Sequence, residues 1–213
     1  MSTKNMLRWS GLSMILAGVL VVLATLIHPS KETPQTILAQ ETRLVTGHWI
    51  YTFYCGFLFL GLPGVYASHA RQLGRLGLVG YLSLIFGSLL YAVASDYGFN
   101  APVLARGAPD MLDAINKYPP IIIMDGLFVV LLLIGFVAFG IAISRTRVFP
   151  PWSGILIAVA WPLYMVGAAL SLQVFEALWI VVIFAAILMG AGLARIGYAL
   201  WSGKGQEGAQ PAG

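Results

Sequence analysis

The chain has 213 residues, of which 59% are hydrophobic and 9% are charged, and its mean hydropathy is +0.87. A soluble domain has about 25% charged residues, so this composition excludes a water-soluble globular protein and indicates a polytopic membrane protein. The formal net charge of +4 does not indicate a nucleic-acid partner, because the basic residues are scattered among apolar segments, a pattern typical of membrane topology signals.

Six apolar stretches are long enough to cross a bilayer as helices, which takes about 20 residues each. In chain order they cover about residues 9–27, 48–67, 76–97, 120–143, 152–172 and 174–196. The first stretch resembles a signal peptide, but no small-x-small cleavage site follows it. We therefore expect it to be a retained transmembrane helix. The sequence therefore predicts an all-α, six-helix transmembrane bundle that forms one domain over residues 1–202. The polar, glycine-rich segment 203–213 is expected to be a disordered cytoplasmic tail.

Charge is distributed unequally between the two ends of this predicted bundle. The end that carries both termini has eight Lys and Arg residues and one Glu, a net +7, and the other end has four basic and seven acidic residues, a net −3. Because Lys and Arg favour the cytoplasm, we expect both termini to lie inside. At the acidic, outer end, two long segments connect consecutive predicted helices, at about 29–47 and 98–119, and both are expected to be loops.

Two of the three histidines fall at the outer end. His28 closes the first predicted helix and His48 opens the second. Consecutive helices are usually neighbours, so the two imidazoles are candidates to bind a transition metal or a haem. The alternative is that both side chains lie at the headgroup level with no ligand. The single cysteine, Cys55, excludes a multi-cysteine metal site.

Three carboxylates lie at helix ends or within helices on the same side. Asp96 ends the third predicted helix, Glu176 begins the sixth, and Asp125 lies about five residues inside the fourth. A carboxylate within a membrane helix is costly and marks a functional candidate, so Asp125 is a candidate general acid. The alternative is a structural role, in a hydrogen bond or ion pair between helices.

Aromatic residues crowd this half of the bundle. Four of them, Trp49, Tyr51, Tyr97 and Trp179, are candidate walls of a pocket for a flat apolar ligand. The alternative is an interfacial aromatic belt without a ligand, which is common in membrane proteins.

Several motifs resemble a known group of sequences. They are residues 61–67, then Arg71 and residues 74–77, the Phe-Pro-Pro-Trp sequence at 149–152, and the pair His28 and His48. These are similar to small multi-pass bacterial membrane proteins that have no assigned activity. The resemblance implies a bacterial cytoplasmic membrane and implies no reaction.

Three functions therefore remain open. The first is an acid–base enzyme of the isomerase or cyclase type, or a binding protein, for a lipid-soluble molecule such as an isoprenoid. It would use Asp125 or Asp96 as acid and His48 or Glu176 as partner. The second is a haem or metal protein that uses His28 and His48. The third is a transporter, or a structural or accessory protein, without a catalytic site. The sequence does not decide whether the protein is an enzyme.

Overall fold

The computed structural model describes residues 2–146 and 148–203. Every regular element in those ranges is helical. The elements are listed here with the labels used below: α1 (Thr3–Ile27), α2 (Pro34–Ala39), α3 (Glu41–Ala94), α4 (Tyr97–Gly107), α5 (Pro109–Asn116), α6 (Pro119–Arg145), α7 (Pro151–Gln173), a 3-10 turn (Glu176–Leu178) and α8 (Trp179–Trp201). The predicted disordered tail lies almost entirely outside the described residues.

Five helical segments in the described ranges are long and apolar enough to cross a membrane, which indicates a membrane protein. Many large apolar side chains on their outer surfaces are exposed, among them Leu60 at 61%, Ile123 at 68% and Ile180 at 63%. Exposed apolar faces of this extent are unfavourable in water but suit contact with lipid chains.

The segment α3 is not one straight rod. Its backbone leaves the helical region at His69 and at Gly74, where φ is +60°. Glycine is the residue that adopts a positive φ without steric cost, so Gly74 permits the reversal. The two arms, 41–68 and 75–94, lie side by side: the ring of Tyr66 stacks on Tyr81 with centroids 4.8 Å apart.

The long helices pack around a common core in a closed order. The first arm of α3 contacts α1, α1 contacts α8, α8 contacts α7, α7 contacts α6, and α6 contacts the second arm of α3. Glycines allow the closest approaches. Gly18 of α1 and Gly190 of α8 face each other so closely that a methyl group on either would strike the carbonyl oxygen of the other.

A helical cap covers one end of the bundle, where two loops were expected. The segment 29–47 contains α2 and the start of α3, and the segment 98–119 contains α4 and α5. The prediction that these two segments are loops was therefore wrong. The cap has a small core of its own, which buries five side chains: Ile37, Leu44, Ala101, Ala105 and Leu112. This tertiary burial stabilises short helices that would be marginal alone.

Candidate functional site

The candidate site lies beneath the cap, where α1 ends and α3 passes. His28 is the C-cap residue of α1, because Pro29 follows it and cannot continue the helix. His48 lies seven residues into α3. The two Nε2 atoms are 3.2 Å apart, and the ring centroids are separated by 5.1 Å. The structure thus brings together the two histidines that the sequence singled out.

A carboxylate joins the two histidines. Glu32 lies in the loop between α1 and α2, and its Oε1 is 3.4 Å from His28 Nε2. One ligand atom from each of His28, Glu32 and His48 lies within 4.8 Å of the others, the one such group of three potential metal ligands in the part of the chain that the structure describes. We call these three residues the histidine–carboxylate cluster. Burial raises the pKa of the Glu32 carboxyl above its ordinary value, and His28 partly opposes that shift.

The hydrogen bonds of the two imidazoles fix their tautomers. His28 Nδ1 lies 2.8 Å from the carbonyl oxygen of Pro29, and His48 Nδ1 lies 3.0 Å from that of Ser95. A carbonyl oxygen can only accept, so each Nδ1 must carry the proton and donate it. In a neutral imidazole the other nitrogen then has a lone pair and no proton. Both Nε2 atoms are therefore acceptors directed at one another.

Three acceptors thus face one small space. They are the two Nε2 lone pairs and the carboxylate oxygen of Glu32. Three adjacent acceptors without a donor repel one another, so the group needs a proton or a metal ion among them. It can be a proton on the Glu32 carboxyl or on one imidazole, or a metal ion that all three groups share.

Aromatic rings surround the cluster. The ring of Tyr51 lies 5.8 Å from His28, and the ring of Trp179 is nearly parallel to His28 at 6.2 Å. Phe99 lies 6.5 Å from His48. The buried Tyr51 hydroxyl also hydrogen-bonds Thr25 at 3.0 Å and Tyr164 at 3.1 Å, so three helices meet beside the cluster. These contacts join α1, α3 and α7 at one wall of the site.

The remaining candidate residues lie elsewhere. Asp96 is exposed and accepts a hydrogen bond from Asn100 at 2.7 Å. Asp125 is half-buried in α6, and in residues 2–146 and 148–203 its side chain has neither an ion pair nor a hydrogen bond. Neither Asp96 nor Asp125 belongs to the histidine–carboxylate cluster. Trp49 is exposed and lies outside the cluster, where it stacks on Phe53 and packs at a tilt against Phe99.

Tyr97 and Glu176 have structural contacts. Tyr97 packs against the small core of the cap. Glu176 is exposed and holds the loop that follows His28: it accepts a short hydrogen bond from Ser30 and forms an ion pair with Lys31 at 3.2 Å. The loop that Glu176 holds is the one that carries Glu32. Glu176 is therefore adjacent to the cluster without contributing a ligand atom to it.

Glu32 is the functional candidate that the sequence reasoning missed. The available signal was the spacing His28-x-x-x-Glu32, which places two side chains on one face of a helix. Because Pro29 ends the helix before Glu32, the spacing was not recognised as a pair of neighbouring side chains. Comparison with protein-family models, with characterised proteins and with solved structures found no match.

Proposed function

We propose that this protein is a membrane metalloprotein that binds one divalent transition-metal ion, such as Zn²⁺, through His28, Glu32 and His48. The observation that carries the proposal is the convergence of two Nε2 lone pairs and one carboxylate oxygen, with both Nδ1 protons donated to backbone carbonyls. Metal-binding histidines characteristically donate their other ring N–H to a carbonyl or carboxylate, which orients the ring.

The spacing of the ligand atoms supports a shared ion. In a tetrahedral site with Zn–N of about 2.0–2.1 Å, two ligand atoms lie roughly 3.3 Å apart. The His28–His48 separation is 3.2 Å and the His28–Glu32 separation is 3.4 Å. Both distances therefore agree with ligands that occupy adjacent corners around one ion.

The ligand set favours a reactive metal over a purely structural one. Structural zinc sites use four protein ligands, whereas catalytic sites use three, commonly two histidines and a glutamate, and leave a position for water or substrate. Two histidines and a carboxylate also form the ligand set of non-haem Fe(II) sites. A bound ion would supply Lewis-acid chemistry or activate a water molecule.

The surroundings support a lipid-soluble substrate. Tyr51, Trp179 and Phe99 border the cluster with ring faces and edges. Aromatic walls offer a large apolar contact area that suits flat or branched apolar molecules. We therefore infer metal-assisted chemistry on a lipid-soluble small molecule. The reactive group would be the ion bound by the histidine–carboxylate cluster, instead of Asp125 or Asp96.

A haem fits these residues less well. A haem iron takes two axial histidines from opposite faces of its porphyrin, so the rings must be separated by the macrocycle. The two Nε2 atoms are 3.2 Å apart, and Glu32 approaches the same point. We therefore favour a single ion over a haem.

The proposal includes an arrangement in the membrane. The two arms of α3 would each make one pass, giving six passes within a single domain over 1–202. The charge asymmetry supports cytoplasmic termini. The resemblance described above supports the inner membrane of a bacterium. The histidine–carboxylate cluster would then open to the outer face of that membrane.

The proposal is tested by Zn²⁺ binding to the detergent-solubilised, full-length protein after chelator treatment. We expect equilibrium dialysis to give one tightly bound ion per chain. Glu32→Gln and His48→Ala each remove one ligand, and should weaken binding by more than about 100-fold, beyond the usual effect of residues outside the ligand shell. His69→Gln is the matched control, because His69 lies in the reversal of α3 and outside the cluster.

Each outcome is decisive. Saturable binding that His69→Gln preserves and the ligand variants lose supports the metal site. Absence of saturable binding would overturn the proposal and favour a cluster joined by a proton. Equal binding by wild type and both ligand variants would also overturn it. Circular dichroism confirms that each variant keeps its helical content.

A further inference from the structure

A pocket lies at the other end of α1 from the histidine–carboxylate cluster. It has a volume of about 300 Å³ and is lined by Asn5, Arg8, Trp9, Leu12 and Trp201. We call it the Arg8 pocket. Because twenty helical residues separate Arg8 from His28, the two sites lie roughly 30 Å apart at 1.5 Å per residue. The Arg8 pocket is thus independent of the proposed metal site.

Among the residues that the structure describes, no neighbouring acid balances the positive charge of the Arg8 pocket. The guanidinium of Arg8 lies over the ring of Trp201, 5.8 Å from its centroid, and forms no ion pair within residues 2–146 and 148–203. Neither α1 nor α8 contains a carboxylate. Lys4 lies one turn before Arg8, while the partial positive charge at the N-terminal end of α1 is offset by the partial negative charge at the C-terminal end of α8 beside it. The two basic side chains would therefore attract an anion here.

The walls of the same pocket are apolar and open. Trp9 is 62% exposed and Trp201 is 43% exposed, and Leu12 lies one turn further along α1 toward the bundle. Tryptophan is enriched at the depth where lipid headgroups meet acyl chains. A cation beside an amide at the helix end, with apolar walls extending along the helix, matches a ligand that has an anionic head and an apolar tail.

We infer that the Arg8 pocket binds the headgroup phosphate of an anionic phospholipid, with Arg8 as the charge partner and Trp9, Leu12 and Trp201 against the start of its acyl chains. A free phosphate ion would match Arg8 but leave the apolar walls exposed. A zwitterionic lipid would present a choline group to a region that is already positive. Charge complementarity therefore selects the anionic lipid.

The test measures retained lipid on the full-length protein by native mass spectrometry, after exchange into micelles that contain phosphatidylglycerol or phosphatidylcholine. Wild type should retain one phosphatidylglycerol in preference to phosphatidylcholine. Arg8→Gln should reduce that retention by about fivefold or more, the effect of one basic residue at a lipid surface. The control is Arg71→Gln, an exposed basic residue in the reversal of α3, near the same end but outside the pocket.

Retention that Arg8→Gln loses and Arg71→Gln keeps supports the inference. Equal retention of the two lipids by wild type overturns it, as does equal retention by wild type and Arg8→Gln. An equal loss in both variants shows diffuse attraction and also overturns it. Inorganic phosphate is added in a separate arm. Displacement of the lipid at millimolar phosphate would indicate a simple anion site and would overturn the inference. Preserved Zn²⁺ binding or helical content in Arg8→Gln shows that the variant is folded.

Discussion

The imidazole of His48 packs directly against the backbone of Gly98 at the start of α4. A Cβ atom at position 98 would overlap the imidazole ring itself. Gly98 therefore lets α4 approach the cluster closely, and the adjoining Ser95 carbonyl accepts the Nδ1 proton of His48 at 3.0 Å. The orientation of a proposed metal ligand thus depends on Gly98 of the cap, which lies 50 residues further along the chain.

Gly98→Ala should weaken Zn²⁺ binding although it removes no ligand. The added methyl group would displace the His48 ring, and residues that orient a ligand typically change metal affinity by about 10- to 100-fold. Gly107→Ala, at the other end of α4, is the control because a Cβ there meets nothing within 4 Å. Zn²⁺ titration of the two variants checks this, and identical affinities would show that His48 is not held by this contact.

Glu176→Gln should lower metal affinity by a different route. Glu176 holds Ser30 and Lys31, and these residues fix the loop from which Glu32 reaches the histidines. Loss of this ion pair should weaken Zn²⁺ binding by no more than about fivefold, because an ion pair between exposed side chains contributes little. Asp110→Asn, an exposed acid of the cap in α5, provides the control. If raising the salt concentration weakens wild-type binding but not that of Glu176→Gln, the ion pair is the cause.

Gly190→Ala should destabilise the bundle. The methyl group would strike the carbonyl oxygen of Gly18, so α8 and α1 must separate, at a cost of about 1–3 kcal/mol for overpacking. Gly56→Ala is the matched control, because a Cβ there meets nothing within 4 Å, and alanine favours a helix by up to about 1 kcal/mol over glycine. Thermal unfolding in one detergent should therefore shift in opposite directions, and a common direction would contradict the close packing of α1 on α8.

Bound Zn²⁺ should stabilise the folded protein. A ligand at about 100 times its Kd adds about 2.7 kcal/mol when it binds only the folded state. Chelator treatment of wild type should remove this increment, and the Glu32→Gln variant should not show it at the same Zn²⁺ concentration. Thermal unfolding with and without Zn²⁺ checks both points. An equal increase in the variant would indicate binding at other surface groups.

The long helices were predictable from sequence because a membrane-spanning helix is a local property. About 20 apolar residues reveal it without reference to the rest of the chain. The cap was not predictable in this way. The region of α4 and α5 contains Gly98, Pro102 and Pro109, and its helices depend on burying Leu112 against side chains from α3 and α4. Tertiary contacts overrode local signals that favour a loop.

Part of the site was also predictable from local features of the sequence. His28 and His48 stood at the ends of neighbouring apolar stretches, so their proximity followed from helix order. Glu32 depends on the path of a loop that is held by Glu176, 144 positions further along the chain. No local pattern encodes that path. Conversely, Asp125 was singled out by its depth alone, and depth does not specify what a side chain contacts.

The most direct test of the central claim is X-ray absorption spectroscopy at the zinc edge, on the full-length protein loaded with one Zn²⁺ per chain. The proposed site predicts two imidazole nitrogens and at least one oxygen in the first shell, at about 2.0–2.2 Å. His48→Ala should lose one imidazole. A wild-type shell that contains only oxygen, or a single imidazole, would contradict a metal site formed by His28, Glu32 and His48.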